Sequence, residues 1–152
     1  DNVYVKIPIT NTKKESSKEL IKRLAEKNVK LNITAIFTLD QVKTVMSVLN
    51  KDVPSIISVF AGRVADTGVD PVLLMKECLK ETKTNPKSEL LWASPRELLN
   101  IIQADQIGCH IITVTKDIIK KLQLINYDLD EYSLDTVKMF YKDAVEAKFK
   151  IN

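Results

Sequence analysis

The chain has 152 residues, 45% of them hydrophobic and 28% charged, and 23 basic against 20 acidic side chains leave a net charge of +3. That composition excludes a disordered or fibrous chain and supplies one core, so residues 1–152 are expected to form a single domain. Scattered lysines, with Arg23, Arg63 and Arg96 the only arginines, read as solvated surface and exclude a nucleic-acid interface. No apolar run of about 18 residues is present to span a membrane as a helix, and Cys78 and Cys109 lack metal-type spacing, which fits free thiols in a reducing, cytoplasmic compartment.

The first predicted element is the strand Val3-Tyr4-Val5-Lys6-Ile7-Pro8, in which Val3, Val5 and Ile7 share one face and Tyr4 and Lys6 the other. After a polar stretch from Thr10 to Ser17, a helix is expected to about Lys27, with Leu20, Ile21, Leu24 and Ala25 as its apolar stripe. Leu31 to Phe37 alternates as a second strand with Asn32 and Thr34 on one face. It stops at Thr38, which forms a capping box with Gln41 ahead of the helix marked by Val42, Val45, Met46 and Leu49. Ser55 to Phe60 is a third strand, followed by a glycine-bearing loop over residues 61–69; Asp70-Pro71 opens a helix to about Thr82. Glu89 to Ala93 is a fourth strand. Ser94-Pro95-Arg96-Glu97 combines a capping box with a first-position proline, which predicts a helix start there and a buried face of Leu98, Leu99, Ile101 and Ile102. A fifth strand spans Cys109 to Val114, a helix follows from Lys116 to Leu122, and a last amphipathic helix begins at Ser133 with Val137, Phe140, Tyr141, Ala144 and Val145 on one face.

Strand and helix alternate five times at roughly 25 to 30 residues per unit, which predicts a parallel α/β architecture. No G-x-G-x-x-G or Walker-type sequence follows a strand, so dinucleotide and P-loop versions are disfavoured. A barrel fits better. Eight units need about 200 to 250 residues, so the expectation is a partial (β/α)8 TIM barrel of five βα units plus a C-terminal helix. The missing units are placed before Asp1, because the chain opens on a strand without an initiator methionine.

In such barrels the polar residues near the strands' C-terminal ends carry the chemistry. Lys6 is the candidate nucleophile: on a strand buried from both sides its ammonium would lose water, favouring the neutral amine that forms a Schiff base with a carbonyl. A shift from about 10.4 to roughly 7 or 8 costs about 4 kcal/mol. Asn32 and Thr34 offer an amide and a hydroxyl to a substrate or a relay water, Ser58 and Phe60 share a face, and Arg63 and Arg96 suit a phosphate bound bidentately. Each has a plainer reading: a snorkelling lysine, polar strand residues satisfied by neighbours, core aromatics at Phe60 and Trp92, and surface arginines. His110 reads as a buried, hydrogen-bonded residue, and Asp66 and Asp70 as loop and cap residues. Amine, amide, hydroxyl and two guanidinium groups nevertheless coincide where one barrel mouth would lie.

Val5-Lys6-Ile7-Pro8-Ile9-Thr10, Asn32-Ile33-Thr34, Ser58-Val59-Phe60-Ala61-Gly62-Arg63 and Ala93-Ser94-Pro95-Arg96 resemble, in order and spacing, the motifs of transaldolases and fructose 6-phosphate aldolases. The resemblance implies that the chain is the C-terminal part of a transaldolase-type TIM barrel, a transferase of carbohydrate metabolism and the pentose phosphate pathway. Such an enzyme moves a dihydroxyacetone unit between sugar phosphates through a lysine Schiff base. It implies catalytic roles for Lys6 and Thr34, substrate-binding roles for Asn32, Ser58, Phe60, Arg63 and Arg96, and no metal or organic cofactor. The family's aspartate, its threonine-asparagine-proline stretch and its relay carboxylate or glutamine have no counterpart here, and Pro95 stands where phenylalanine is usual. A partial sheet has unpaired edges, so the expected partners are sugar phosphates and a second copy or another chain that completes the barrel. A direct aldolase and a non-catalytic sugar-phosphate-binding module are the alternatives.

Overall fold

The computed structural model describes residues 2–148. Five strands form one sheet in the order β1-β2-β3-β4-β5, all parallel: β1 (Val5–Pro8), β2 (Leu31–Ile36), β3 (Ser55–Val59), β4 (Ser88–Trp92) and β5 (Ile111–Ile112). Between and after them run α1 (Lys18–Glu26), α2 (Leu39–Met46), α3 (Ala61–Ala65), α4 (Pro71–Thr82), α5 (Leu99–Gln106), α6 (Lys116–Lys120) with a 3-10 turn behind it, and α7 (Leu129–Glu146). This is the α/β architecture of a partial TIM barrel.

Period-two alternation decides the two faces of the sheet. Ile7, Leu31, Ile33, Ile57, Val59, Leu90 and Trp92 form one core with the apolar stripes of α1, α2 and α4, including Ile21, Val42, Val45, Met75 and Cys78. Burial pushes the Cys78 thiol up to about 12 and raises Cys109 as well, which favours the protonated thiol at both positions. The other face of the sheet carries Lys6, Asn32, Thr34, Ile56, Ser58, Glu89 and Leu91, graded from exposed Lys6 and Glu89 to buried Thr34, Ser58 and Leu91.

Two helix starts follow the predicted local chemistry. Thr38 accepts from the Gln41 backbone N–H while the Gln41 side chain accepts from the Thr38 N–H, completing the capping box of α2. Asp70 accepts from the Val72 N–H at 2.8 Å, with Pro71 as the first residue of α4.

Elsewhere tertiary contacts change the outcome. β1 is an edge strand, so Val5 is 45% and Val3 74% exposed and only Ile7 joins the core. The alternation of β2 holds through Thr34; Ala35 adopts φ +59 and is the extra residue of a bulge, so that Ile36, not Ala35, pairs with Val59. The loop after β3 contains α3. The predicted helix start at Ser94 does not form: Ser94 sits at φ +57, residues 94–97 are a turn, and α5 begins at Leu99. Its buried residues are Asn100 and Ala104, whereas Leu99 is 53% exposed and Ile101 and Ile102 are half-buried. β4 lies one residue earlier than expected, and β5 keeps only two residues of the expected six because only Leu91 and Trp92 pair with it. α7 starts at Leu129 rather than Ser133, capped by Asp128, which accepts from the Asp130 and Glu131 N–H groups. None of its residues is buried; Val137, Phe140, Tyr141 and Val145 face solvent.

Candidate active site

Strand register places the candidate residues in two groups. Lys6 pairs with Asn32, Asn32 with Ile56, and Ile56 with Glu89, so these four lie in one row across the sheet, with adjacent strands about 4.8 Å apart. Thr34 lies two residues beyond Asn32 on the same face, in register with Pro8. The amine and the amide are therefore lateral neighbours, with the hydroxyl one step further along β2. The Oδ1 of Asn32 and the Oγ1 of Thr34 are buried and meet no hydrogen-bond partner among the described residues. Buried polar atoms of this kind cost roughly 1 to 3 kcal/mol each unless something fills the space beside them.

Lys6 departs from the sequence-based expectation of a strand buried from both sides. It is the second residue of β1, and it is exposed. Desolvation of its ammonium needs cover beyond what these five strands provide.

The second group stands at the strand ends. Phe60 follows β3, its ring centroid 5.7 Å from that of Phe37 behind β2. Arg63, from the exposed side of α3, lies over the Phe60 ring at 5.5 Å, a cation–π arrangement that orders the guanidinium. Arg96 is not in the first turn of a helix, as the sequence predicted, but in the turn ahead of α5. Its Nε donates to Oδ1 of Asp66 at 3.1 Å and its Nη2 donates to Oδ2 of the same carboxylate. Ser58, on the strand that Phe60 follows, is buried in register with Leu91.

Three residues that sequence reasoning gave no site role build this second group. Gly62 donates its N–H to the Ala93 carbonyl at 3.2 Å, and a Cβ at this glycine would overlap the Ser94 carbonyl oxygen. Only glycine allows the start of α3 to rest on the turn after β4. Asn100 is buried, and its Oδ1 accepts from the N–H groups of Arg96 at 2.8 Å and Glu97 at 3.2 Å. Its signal in the sequence was a lone amide within Leu98-Leu99-Asn100-Ile101-Ile102. Asp66 fixes the Arg96 side chain and is not merely a loop residue. Beside Arg96, a cavity of about 340 Å³ is lined by Ser94, Pro95, Arg96, Thr113, Val114 and Thr115.

His110, predicted to be buried and hydrogen-bonded, is exposed. Its Nδ1 accepts from the Leu90 N–H at 3.0 Å, a role in holding β4 beside the short β5. Among the described residues, no group of three or more His, Cys, Asp or Glu side chains is arranged to hold a metal ion, and no helix is long and apolar enough to cross a membrane.

Parallel βα repeats with their polar side chains on one face and at the strand ends define one side of a (β/α) barrel and its mouth. The family described as Transaldolase/Fructose-6-phosphate aldolase matches residues 1–151, and the chain belongs to that family. Among its relatives, the "Probable transaldolase" of Methanococcus maripaludis (strain C7) is 30% identical over 136 residues, covering 89% of this chain and 59% of the relative. The "Probable transaldolase 2" of Listeria monocytogenes serovar 1/2a is 35% identical over 123 residues, covering 80% and 52%. The "Probable transaldolase" of Nitrosopumilus maritimus is 27% identical over 150 residues, covering 97% and 62%. The chain thus spans between half and two thirds of the length of the curated relatives it matches.

Proposed function

We propose that this chain is the C-terminal part of a transaldolase-type barrel and carries its imine-forming lysine. The observation that supports this reading best is the register of β1 and β2, which sets the Lys6 amine beside the Asn32 amide, with Thr34 next on the same face. The unmet Oδ1 and Oγ1 on those two residues give a sugar hydroxyl and a water places to bind. In this reaction the Lys6 amine adds to the keto carbon of a ketose phosphate, and water leaves to give an iminium. Loss of the proton from the hydroxyl two carbons away from the iminium carbon breaks the carbon–carbon bond between its carbinol carbon and the carbon next to the iminium; that bond's electron pair passes into the iminium, forming an enamine and releasing an aldose phosphate. The enamine then attacks an acceptor aldehyde, and hydrolysis frees Lys6. Thr34 holds the water that carries these protons, Asn32 and Ser58 bind sugar hydroxyls, Phe60 walls the site, and Arg63 and Arg96 bind the phosphate.

Lys6 becomes buried when further βα units pair along the free edge of β1, in the same polypeptide, a second copy or a partner chain. The relatives' additional length leaves room for about three units, the number that takes five strands to eight. The exposure of Lys6 supports a second reading, a module that binds sugar phosphate without forming an imine.

Intact-mass measurement after incubation with fructose 6-phosphate and borohydride separates the two. A reduced adduct that maps to Lys6 and is absent from Lys6→Ala is the expected result. A folded protein that gains no adduct, yet is stabilised by the sugar phosphate, overturns the imine chemistry and leaves the binding module.

A further inference from the structure

The Arg96–Asp66 pair is built with more care than a surface ion pair needs. Each partner is 49% exposed, and exposed pairs of this kind contribute about 0 to 1 kcal/mol to stability. The backbones that carry the two side chains are nevertheless locked together. Asp66 ends α3, its N–H bonded to the Gly62 carbonyl at 3.2 Å, and Gly62 rests on Ser94. On the other side, the Asn100 amide fixes the Arg96 N–H.

The carboxylate takes the guanidinium from its side, through Nε and Nη2. A guanidinium has five N–H donors, so three remain, among them the pair at its far end that matches a phosphate. The cavity that Arg96 lines holds one cation and the hydroxyl-bearing residues Ser94, Thr113 and Thr115, and no carboxylate is among its lining residues. We infer that Asp66 is a positioning residue: it grips Arg96 by its side edge and holds the far end of the guanidinium ready for a phosphate group seated in the cavity between the ends of β4 and β5. This rests on the proposed binding of a sugar phosphate through Arg96 and adds to it the residue that orders the arginine.

The competing role for Asp66 is a rival anion, and the two differ in sign. Removing a rival tightens phosphate binding; removing a positioning group weakens it. Inorganic phosphate is titrated into the full chain and into Asp66→Ala, Asp66→Asn and Arg96→Gln, with affinity read by calorimetry and the Arg96 Nε proton followed by NMR. Asp66→Ala is expected to bind phosphate about tenfold more weakly. Asp66→Asn, which keeps an oxygen able to accept from Nε, is expected to stay within about threefold of the parent, and the Nε proton should move on phosphate addition in both the parent and Asp66→Asn. Unchanged or tighter binding in Asp66→Ala overturns the positioning role while leaving the phosphate site standing. Phosphate binding that is absent in the parent, or unaffected by Arg96→Gln, refutes the underlying site and the inference with it.

Discussion

The turn after β2 and the turn after β4 carry the same local signature, a hydroxyl residue followed three positions later by Gln or Glu, and they fold differently. At Thr38 the signature closes: the hydroxyl accepts from Gln41, the Gln41 side chain accepts from the N–H groups of Phe37 and Thr38, and α2 begins at once. At Ser94 it stays open, because the Ser94 carbonyl lies against Gly62 and its backbone is held at φ +57. That conformation costs a non-glycine residue about 1 to 2 kcal/mol. Asn100 instead ties down the preceding turn, accepting from the N–H groups of Arg96 and Glu97, and the helix starts at Leu99 without a side-chain cap. The first turn only connects a strand to a helix. The second carries Arg96 at the barrel mouth, and its local preference gives way to the contact that sets the arginine's position.

The largest effect belongs to the contact that overrides the capping box. Gly62→Ala forces a Cβ onto the backbone of Ser94, which cannot move aside as a flexible side chain would. The substitution is expected to cost about 3 kcal/mol in urea unfolding and to separate Asp66 from Arg96. A loss under about 1 kcal/mol would show that the two segments are not locked.

Asn100→Ala comes next. It strips two backbone N–H groups of their acceptor in a partly buried turn and removes the Asn100 donation to Gln103. The expected loss is about 1 to 2 kcal/mol by the same measurement. A neutral result would mean that the Ser94 turn holds its shape without the amide.

Much of the fold was legible because it follows from period and local chemistry. Alternation marked the strands, and Thr38-Leu39-Asp40-Gln41 and Asp70-Pro71 marked helix starts that depend on nothing distant. The start of α7 was equally local: Asp128-Leu129-Asp130-Glu131 is a capping sequence, passed over in favour of the apolar stripe beyond Ser133. The Ser94 turn was not legible, because what overrules its signature is a glycine 32 positions earlier, known only once α3 and β4 touch. The same applies to the site. Lys6, Asn32 and Thr34 could be found as candidates from strand alternation, but the carboxylate of Asp66 lies thirty residues from Arg96 and bears no sequence mark of its partner. Nor does alternation reveal that β1 is an edge strand, which is what leaves Lys6 exposed.

The smallest effect discriminates most finely, because it compares the same position of the signature in both turns. Gln41 accepts from the Phe37 N–H at 2.8 Å and the Thr38 N–H at 3.1 Å, so Gln41→Ala is expected to cost about 0.5 to 1 kcal/mol. Glu97 occupies the equivalent place after Ser94, but its turn is held by Asn100 and its own side chain is exposed, so Glu97→Ala should change stability by no more than about 0.5 kcal/mol. Equal losses would mean that a capping box forms at Ser94 in solution. In that event Ser94 would leave its left-handed conformation, Arg96 would enter the first turn of a helix, and the side-on grip of Asp66 would have to be rebuilt from a different backbone.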